Sequence, residues 1–156
     1  MHVVVVEDDH LQTPSLAEHL TAAFAPVTVE ALASEEDFRA ALPRLVRRPP
    51  DLVVMDVMLR WSFPRPNAPK PPADVVEGGY YRAGLRCAKL MLADQRLRSV
   101  PVVLHTILEV GDLERDGEKL PANATYVGKT SDQDVLVRHI KGLLRHHPGR
   151  PAPAGR

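Results

Sequence analysis

Apolar residues along this chain come in two rhythms that alternate. Val3 to Val6 is an unbroken apolar run, as expected of a strand buried on both faces. Leu16, Leu20 and Phe24 then recur at helical spacing within Leu11 to Phe24, with Ala17 and Ala23 between them, and Pro14 fits only in a first turn. Val27 to Leu32 predicts a second strand. Ser34, followed by Glu35, Glu36 and Asp37, is the pattern of an N-cap with acids in the first turn, opening a helix to about Val46 that Pro43 should kink or shorten. Asp51 to Asp56 is a third strand, entered from Pro49-Pro50 and ending on a carboxylate.

The next stretch breaks the rhythm. Residues 60–79 carry five prolines between Pro64 and Pro72, which forbid helix or interior strand there and favour extended polyproline geometry. This insertion also holds Trp61 and Phe63, with Tyr80 and Tyr81 just beyond it, more aromatic surface than a solvated loop usually carries. Helical spacing resumes at Tyr81, with Leu85, Ala88 and Leu92 on one face. Val100 to His105 predicts a fourth strand with Pro101 at its start, and a weak helix follows over Gly111 to Lys119. Thr125 to Gly128 is a fifth strand, and Ser131 caps a last amphipathic helix carrying Val135, Ile140, Leu143 and Leu144. Residues 148–156 hold nothing to bury and are expected to form a disordered tail. Strand and helix alternating five times predict one doubly wound α/β domain over 1–147, with a five-stranded parallel sheet and helices on both faces.

Composition narrows the function classes. With 20 basic and 20 acidic residues the chain balances its charge, so neither DNA binding nor attraction to anionic membrane is expected. The absence of any spanning apolar run or signal-peptide core points to a cytoplasmic location. Cys87 is the single cysteine and reads as a small buried hydrophobe. The seven histidines show no metal-binding spacing and read as structural or surface residues, with His146 and His147 suited to a helix C-terminus.

The candidate chemistry lies at strand ends. Open α/β sheets bind ligands just outside the carboxyl ends of their strands. Glu7-Asp8-Asp9 follows the first strand, Asp56 ends the third and Lys129 follows the fifth. Brought together, acid, acid and ammonium would make a site for a metal ion and a phosphate. Asp9 is better read as a cap for the next helix.

The stretches VVVVEDD, DLVVMDVML, VPVVLHT and YVGK, in that order at strand ends, resemble the receiver domain of two-component response regulators over about residues 2–146. The resemblance implies sheet order 2-1-3-4-5. It makes Asp56 the phosphoacceptor, a carboxylate nucleophile forming an acyl phosphate. Glu7, Asp8, Asp56 and the backbone carbonyl of Met58 would hold Mg²⁺, a hard cation that takes oxygen ligands. Lys129 would pair with the phosphoryl oxygens, Thr106 would give them a hydroxyl hydrogen bond, and Tyr126 would be the switch residue. Implied partners are a sensor histidine kinase or histidine phosphotransfer protein and a downstream protein, with no enzymatic activity beyond the domain's own phosphotransfer and dephosphorylation. Met58 and Leu108 flank the family's path of attacking water, and both are apolar, which implies a long-lived phosphoprotein.

Three features depart from that pattern: Thr130 follows Lys129 where the family usually has proline, Arg60 replaces a common proline, and the insertion is long. A single-domain response regulator is the leading expectation. A degenerate receiver acting as a phosphorylation-independent interaction module is the alternative, and a doubly wound Mg²⁺ phosphohydrolase would need a general acid near Asp56 that the sequence does not offer.

Overall fold

The computed structural model describes residues 1–114, 119–130 and 132–146. The Ser131 cap, residues 115–118 of the weak helix, the side chain of His146, His147 and the tail at 148–156 lie outside the described residues. In chain order the elements are β1 (His2–Val6), α1 (Gln12–Phe24), β2 (Thr28–Leu32), α2 (Glu35–Arg47), β3 (Leu52–Met55), α3 (Ala73–Gly78), a 3₁₀ turn (Tyr80–Arg82), α4 (Ala83–Ala93), β4 (Val102–Thr106), α5 (Val110–Leu113), β5 (Ala124–Gly128) and α6 (Asp134–His146). All five strands pair in parallel in the order β2-β1-β3-β4-β5, the order expected from the resemblance.

Period-two alternation along the strands divides the core between two faces. Val4, Val6, Val53, Met55 and Leu104 point toward α2 and α4, meeting Phe38, Leu45, Leu85, Ala88 and Met91. Val3, Val5, Leu52, Val54 and Val103 point the other way, meeting Leu16 and Leu20 of α1 and Leu136 and Ile140 of α6. Cys87 is fully buried in the first cluster, the small buried hydrophobe that the sequence predicts. Val3 to Val6 of β1 and the whole of β3 are apolar because both faces of these central strands are covered.

Two local expectations change. Pro43 does not end α2, which continues to Arg47 while burying Phe38, Ala41 and Leu45. That packing outweighs a missing interior hydrogen bond that costs about 3 kcal/mol. The insertion is not proline-extended to its end, because α3 forms at Ala73–Gly78 as soon as the prolines stop. Pro72, at φ −68°, stands at its N-cap, where no donor is required. Gly79, at φ 63°, ends α3 with its N–H on the Val75 carbonyl at 2.9 Å, a left-handed conformation that favours glycine.

The insertion is fastened to α2. Ser34 Oγ accepts from the Asp37 N–H at 3.1 Å, the cap the sequence predicts. The next two N–H groups of α2 turn outward to the insertion: Glu35 N bonds the Arg60 carbonyl at 3.0 Å and Glu36 N bonds the Trp61 carbonyl at 2.9 Å. The Glu35 side chain, 0 % exposed, receives Arg86 Nη2 at 2.6 Å and Arg39 Nη2 at 2.9 Å. Arg39 also pairs with Asp74 of α3, and Arg86 donates to the Gly79 carbonyl at 2.8 Å. Trp61 closes the proline segment on itself through Nε1 to the Pro69 carbonyl at 2.8 Å. Phe63 packs under Arg60, whereas Tyr80 and Tyr81 stack on each other and stay half exposed.

Removing one partner of a buried ion pair leaves uncompensated charge and costs about 3 kcal/mol or more. Glu35→Ala, which strands Arg39 and Arg86, is therefore expected to lower stability by about 3 kcal/mol in urea unfolding. It should also speed tryptic cleavage after Arg60, whose carbonyl the Glu35 N–H holds.

Candidate functional site

Register places the predicted residues side by side. Val6 of β1 is level with Met55 of β3, and Thr106 of β4 is level with Gly128 of β5. The ladder runs one residue past the strands: Asp56 N bonds the Val6 carbonyl at 2.9 Å, and Lys129 N bonds the Thr106 carbonyl at 2.8 Å. Glu7, Asp56, Thr106 and Lys129 thus form one row at the carboxyl edge of the sheet.

Lys129 closes the row. Its ammonium lies 2.6 Å from Asp56 Oδ2 and 2.7 Å from Glu7 Oε2. It starts on β5, two strands from β3, and strands sit about 4.8 Å apart, so only a long unbranched side chain makes the crossing. The Lys129–Thr130 bond is trans, since the cis bond among the described residues is Ala25–Pro26, and Thr130 keeps φ negative. The lysine therefore reaches both carboxylates without the proline that the resemblance leads one to expect.

The pair is sequestered. Glu7 is 4 % and Asp56 6 % exposed. Burial pushes the Glu7 carboxyl above the usual range, against the opposing pull of Lys129, and neighbouring Asp56 adds to the rise. Burial alone would lower the Lys129 ammonium, but Asp56 and Glu7 outweigh it and hold the pKa above the ordinary lysine value. Two carboxylates thus share one ammonium, and negative charge is left over. Asp56 Oδ1 accepts from the Met58 N–H at 3.2 Å.

Asp8 stands apart from this pair. Its Oδ2 takes the Arg60 backbone N–H at 3.1 Å and the Arg60 Nε at 3.0 Å. Among the described residues no three acid, histidine or cysteine groups are arranged around a common metal position. The chemistry of the donor set nevertheless fits a hard divalent cation: Glu7, Asp8 and Asp56 offer carboxylate oxygens at adjacent strand ends. Asp9 turns away and caps the approach to α1, its Oδ1 accepting from Leu11 N at 2.8 Å.

Thr106 is fully buried and its Oγ lies 3.4 Å from the Leu108 N–H. Tyr126 donates its hydroxyl to the Leu108 carbonyl at 2.9 Å, so the proposed switch residue is tied to the loop that leaves Thr106. Gly84, at the start of α4, presses on the backbone behind Asp56: a Cβ there would meet the Asp56 carbonyl oxygen and lie 2.8 Å from Val57 Cα. Two residues near the site carry no sequence signal for it. Arg60 reads from sequence only as a departure from pattern. His105, half-buried beside Thr106, has its pKa lowered to about 4 by burial and by Lys129, so it is neutral near pH 7.

No family model and no curated protein matches the chain. Solved structures do. The phosphorylated cyanobacterial phytochrome response regulator RcpA matches at a TM-score of 0.64 and 19 % identity, over 98 % of this chain and 98 % of that one. The signal receiver domain of a DNA-binding response regulator from Colwellia psychrerythraea matches at 0.66 and 19 %, over 93 % and 98 %. The receiver domain of a signal transduction histidine kinase from Syntrophus aciditrophicus matches at 0.62 and 24 %, over 99 % and 97 %. At these identities the likeness is one of fold: the chain has the flavodoxin-like fold of response regulator receiver domains. Among the described residues no helix is long and apolar enough to cross a membrane.

Because the Glu7 carboxyl is raised, the native state keeps its proton to higher pH than the unfolded chain does. The Glu7 contribution to stability is thus full below about pH 4.5 and is lost as pH rises through the folded value. Glu7→Gln, which leaves Lys129 paired with Asp56 alone, is expected to gain stability relative to the parent between pH 4 and pH 7 in chemical denaturation series. A constant difference across that range would contradict the charge assignment.

Proposed function

We propose that this chain is a response regulator receiver that takes a phosphoryl group on Asp56 and signals through protein contacts. The observation that carries the reading is the Lys129 ammonium held on Asp56 and Glu7 at the strand ends. An Asp56 carboxylate oxygen attacks the phosphorus of a histidine kinase, phosphotransfer protein or small acyl phosphate. The bond from phosphorus to the donor breaks, and its electron pair leaves with the donor. Lys129 then passes from the carboxylate to the phosphoryl oxygens, and the transfer depends on position and charge rather than further covalent chemistry. Glu7, Asp8 and Asp56 would hold Mg²⁺, which supplies charge neutralisation between carboxylates and phosphate.

Thr106 answers the new charge by turning its hydroxyl to the phosphate, drawing the loop at Leu108 with it. The Tyr126 hydroxyl, bonded to the Leu108 carbonyl, is positioned to follow that movement. Output would run through surfaces that Tyr126 and this loop help form, toward a downstream protein rather than DNA, in the cytoplasm. Arg60 on Asp8 favours a second reading, in which the acid is permanently neutralised and the chain is a phosphorylation-independent interaction module.

Intact-mass measurement after acetyl phosphate and Mg²⁺ separates the two. One phosphoryl adduct, absent from Asp56→Asn, is expected. It should persist for minutes or longer, since Met58 and Leu108 offer no polar group to orient attacking water. Absence of an adduct with every donor would favour the second reading, and loss within seconds would remove the claim of a long lifetime.

A further inference from the structure

The insertion contributes a cation to the site. Arg60 bonds Asp8 through both its backbone N–H and its Nε, and both bonds fall on Oδ2. Its guanidinium lies over the Phe63 ring at 4.3 Å, and its carbonyl is held by the Glu35 N–H at 3.0 Å. Ring, helix terminus and carboxylate thus fix one arginine at the point where the insertion leaves the site.

Charge decides what this contact does. Glu7, Asp8 and Asp56 carry three negative charges against the single charges of Lys129 and Arg60, which leaves one in excess. A divalent cation taken up while Arg60 stays would turn that deficit into a surplus. Exchange of Arg60 for the cation brings the cluster to neutrality. The contact is also weak enough to exchange, since the Arg60 side chain is 47 % and the Asp8 side chain 20 % exposed, and water screens such pairs.

The geometry points to Arg60 as an internal competitor of the divalent cation: its guanidinium occupies Asp8 until the cation displaces it, and cation binding changes the surroundings of the start of the insertion. This rests on Glu7, Asp8 and Asp56 being the receiver's cation site. The insertion is thereby a reporter of the site's state, because Trp61 adjoins Arg60 and is held by α2 through the Glu36 N–H at 2.9 Å.

Calorimetric titration of the full chain with MgCl₂ tests this, comparing the parent with Arg60→Met and Arg65→Met. Methionine keeps the stem over Phe63 but removes the charge, and Arg65 is a control because it pairs with Glu36 instead. Arg60→Met is expected to bind Mg²⁺ about three- to tenfold more tightly, with Arg65→Met within about twofold of the parent. Trp61, the one tryptophan of the chain, should change its emission with the same midpoint in the parent. Equal affinity in parent and Arg60→Met, or equal tightening in Arg65→Met, overturns the competition while leaving the receiver reading intact. Unchanged Trp61 emission at saturating Mg²⁺ overturns the coupling of the insertion to the site. Absence of Mg²⁺ binding in all three proteins overturns both this inference and the metal assignment beneath it.

Discussion

A single ammonium balanced between two buried carboxylates is the interaction on which the strand-end site depends. Glu7 and Asp56 stand on adjacent strands, level with each other, where burial makes like charges expensive. Lys129 offsets the cost only in part, and burial keeps the Glu7 carboxyl raised. A cluster short of positive charge, close to the edge of a sheet, is what the proposed cation binding and phosphoryl transfer require. The sheet order makes this possible, since it sets β1 beside β3 and keeps β5 within one lysine length of both.

The same edge is joined to the insertion by backbone rather than by loose contact. The first N–H groups of α2, which have no partner within their own helix, are satisfied by the Arg60 and Trp61 carbonyls. Beneath them Glu35 gathers Arg39 and Arg86, and through Arg39 it reaches Asp74 of α3. Asp8 bonds Arg60, the residue whose carbonyl begins this set of anchors. A long proline-rich segment beginning four residues after Asp56 is thus placed to respond to chemistry there.

Much of this was legible in the chain itself. The apolar runs at Val3 to Val6 and Leu52 to Met55 have no polar face to hide, and only burial on both sides of a parallel sheet suits them. Their carboxylate endings located Glu7 and Asp56, and position after a fifth strand located Lys129. Pairings between distant charges were not legible. Glu35 looked like a first-turn acid at a helix start, and only the fold brings Arg86 to it. Arg60 looked like a missing proline, because periodicity says nothing about which carboxylate a guanidinium will meet across 52 positions. The helix at Ala73–Gly78 escaped because five prolines set the character of the whole segment, although the last of them stops at its N-cap.

Fluorine NMR with beryllofluoride, a mimic of the phosphoryl group, tests the central claim most directly. In the presence of Mg²⁺ the parent chain is expected to show bound fluorine resonances that vanish in Asp56→Asn and weaken in Lys129→Met. Absence of bound resonances in the parent, or their persistence in Asp56→Asn, would contradict a strand-end site built around Asp56 and Lys129.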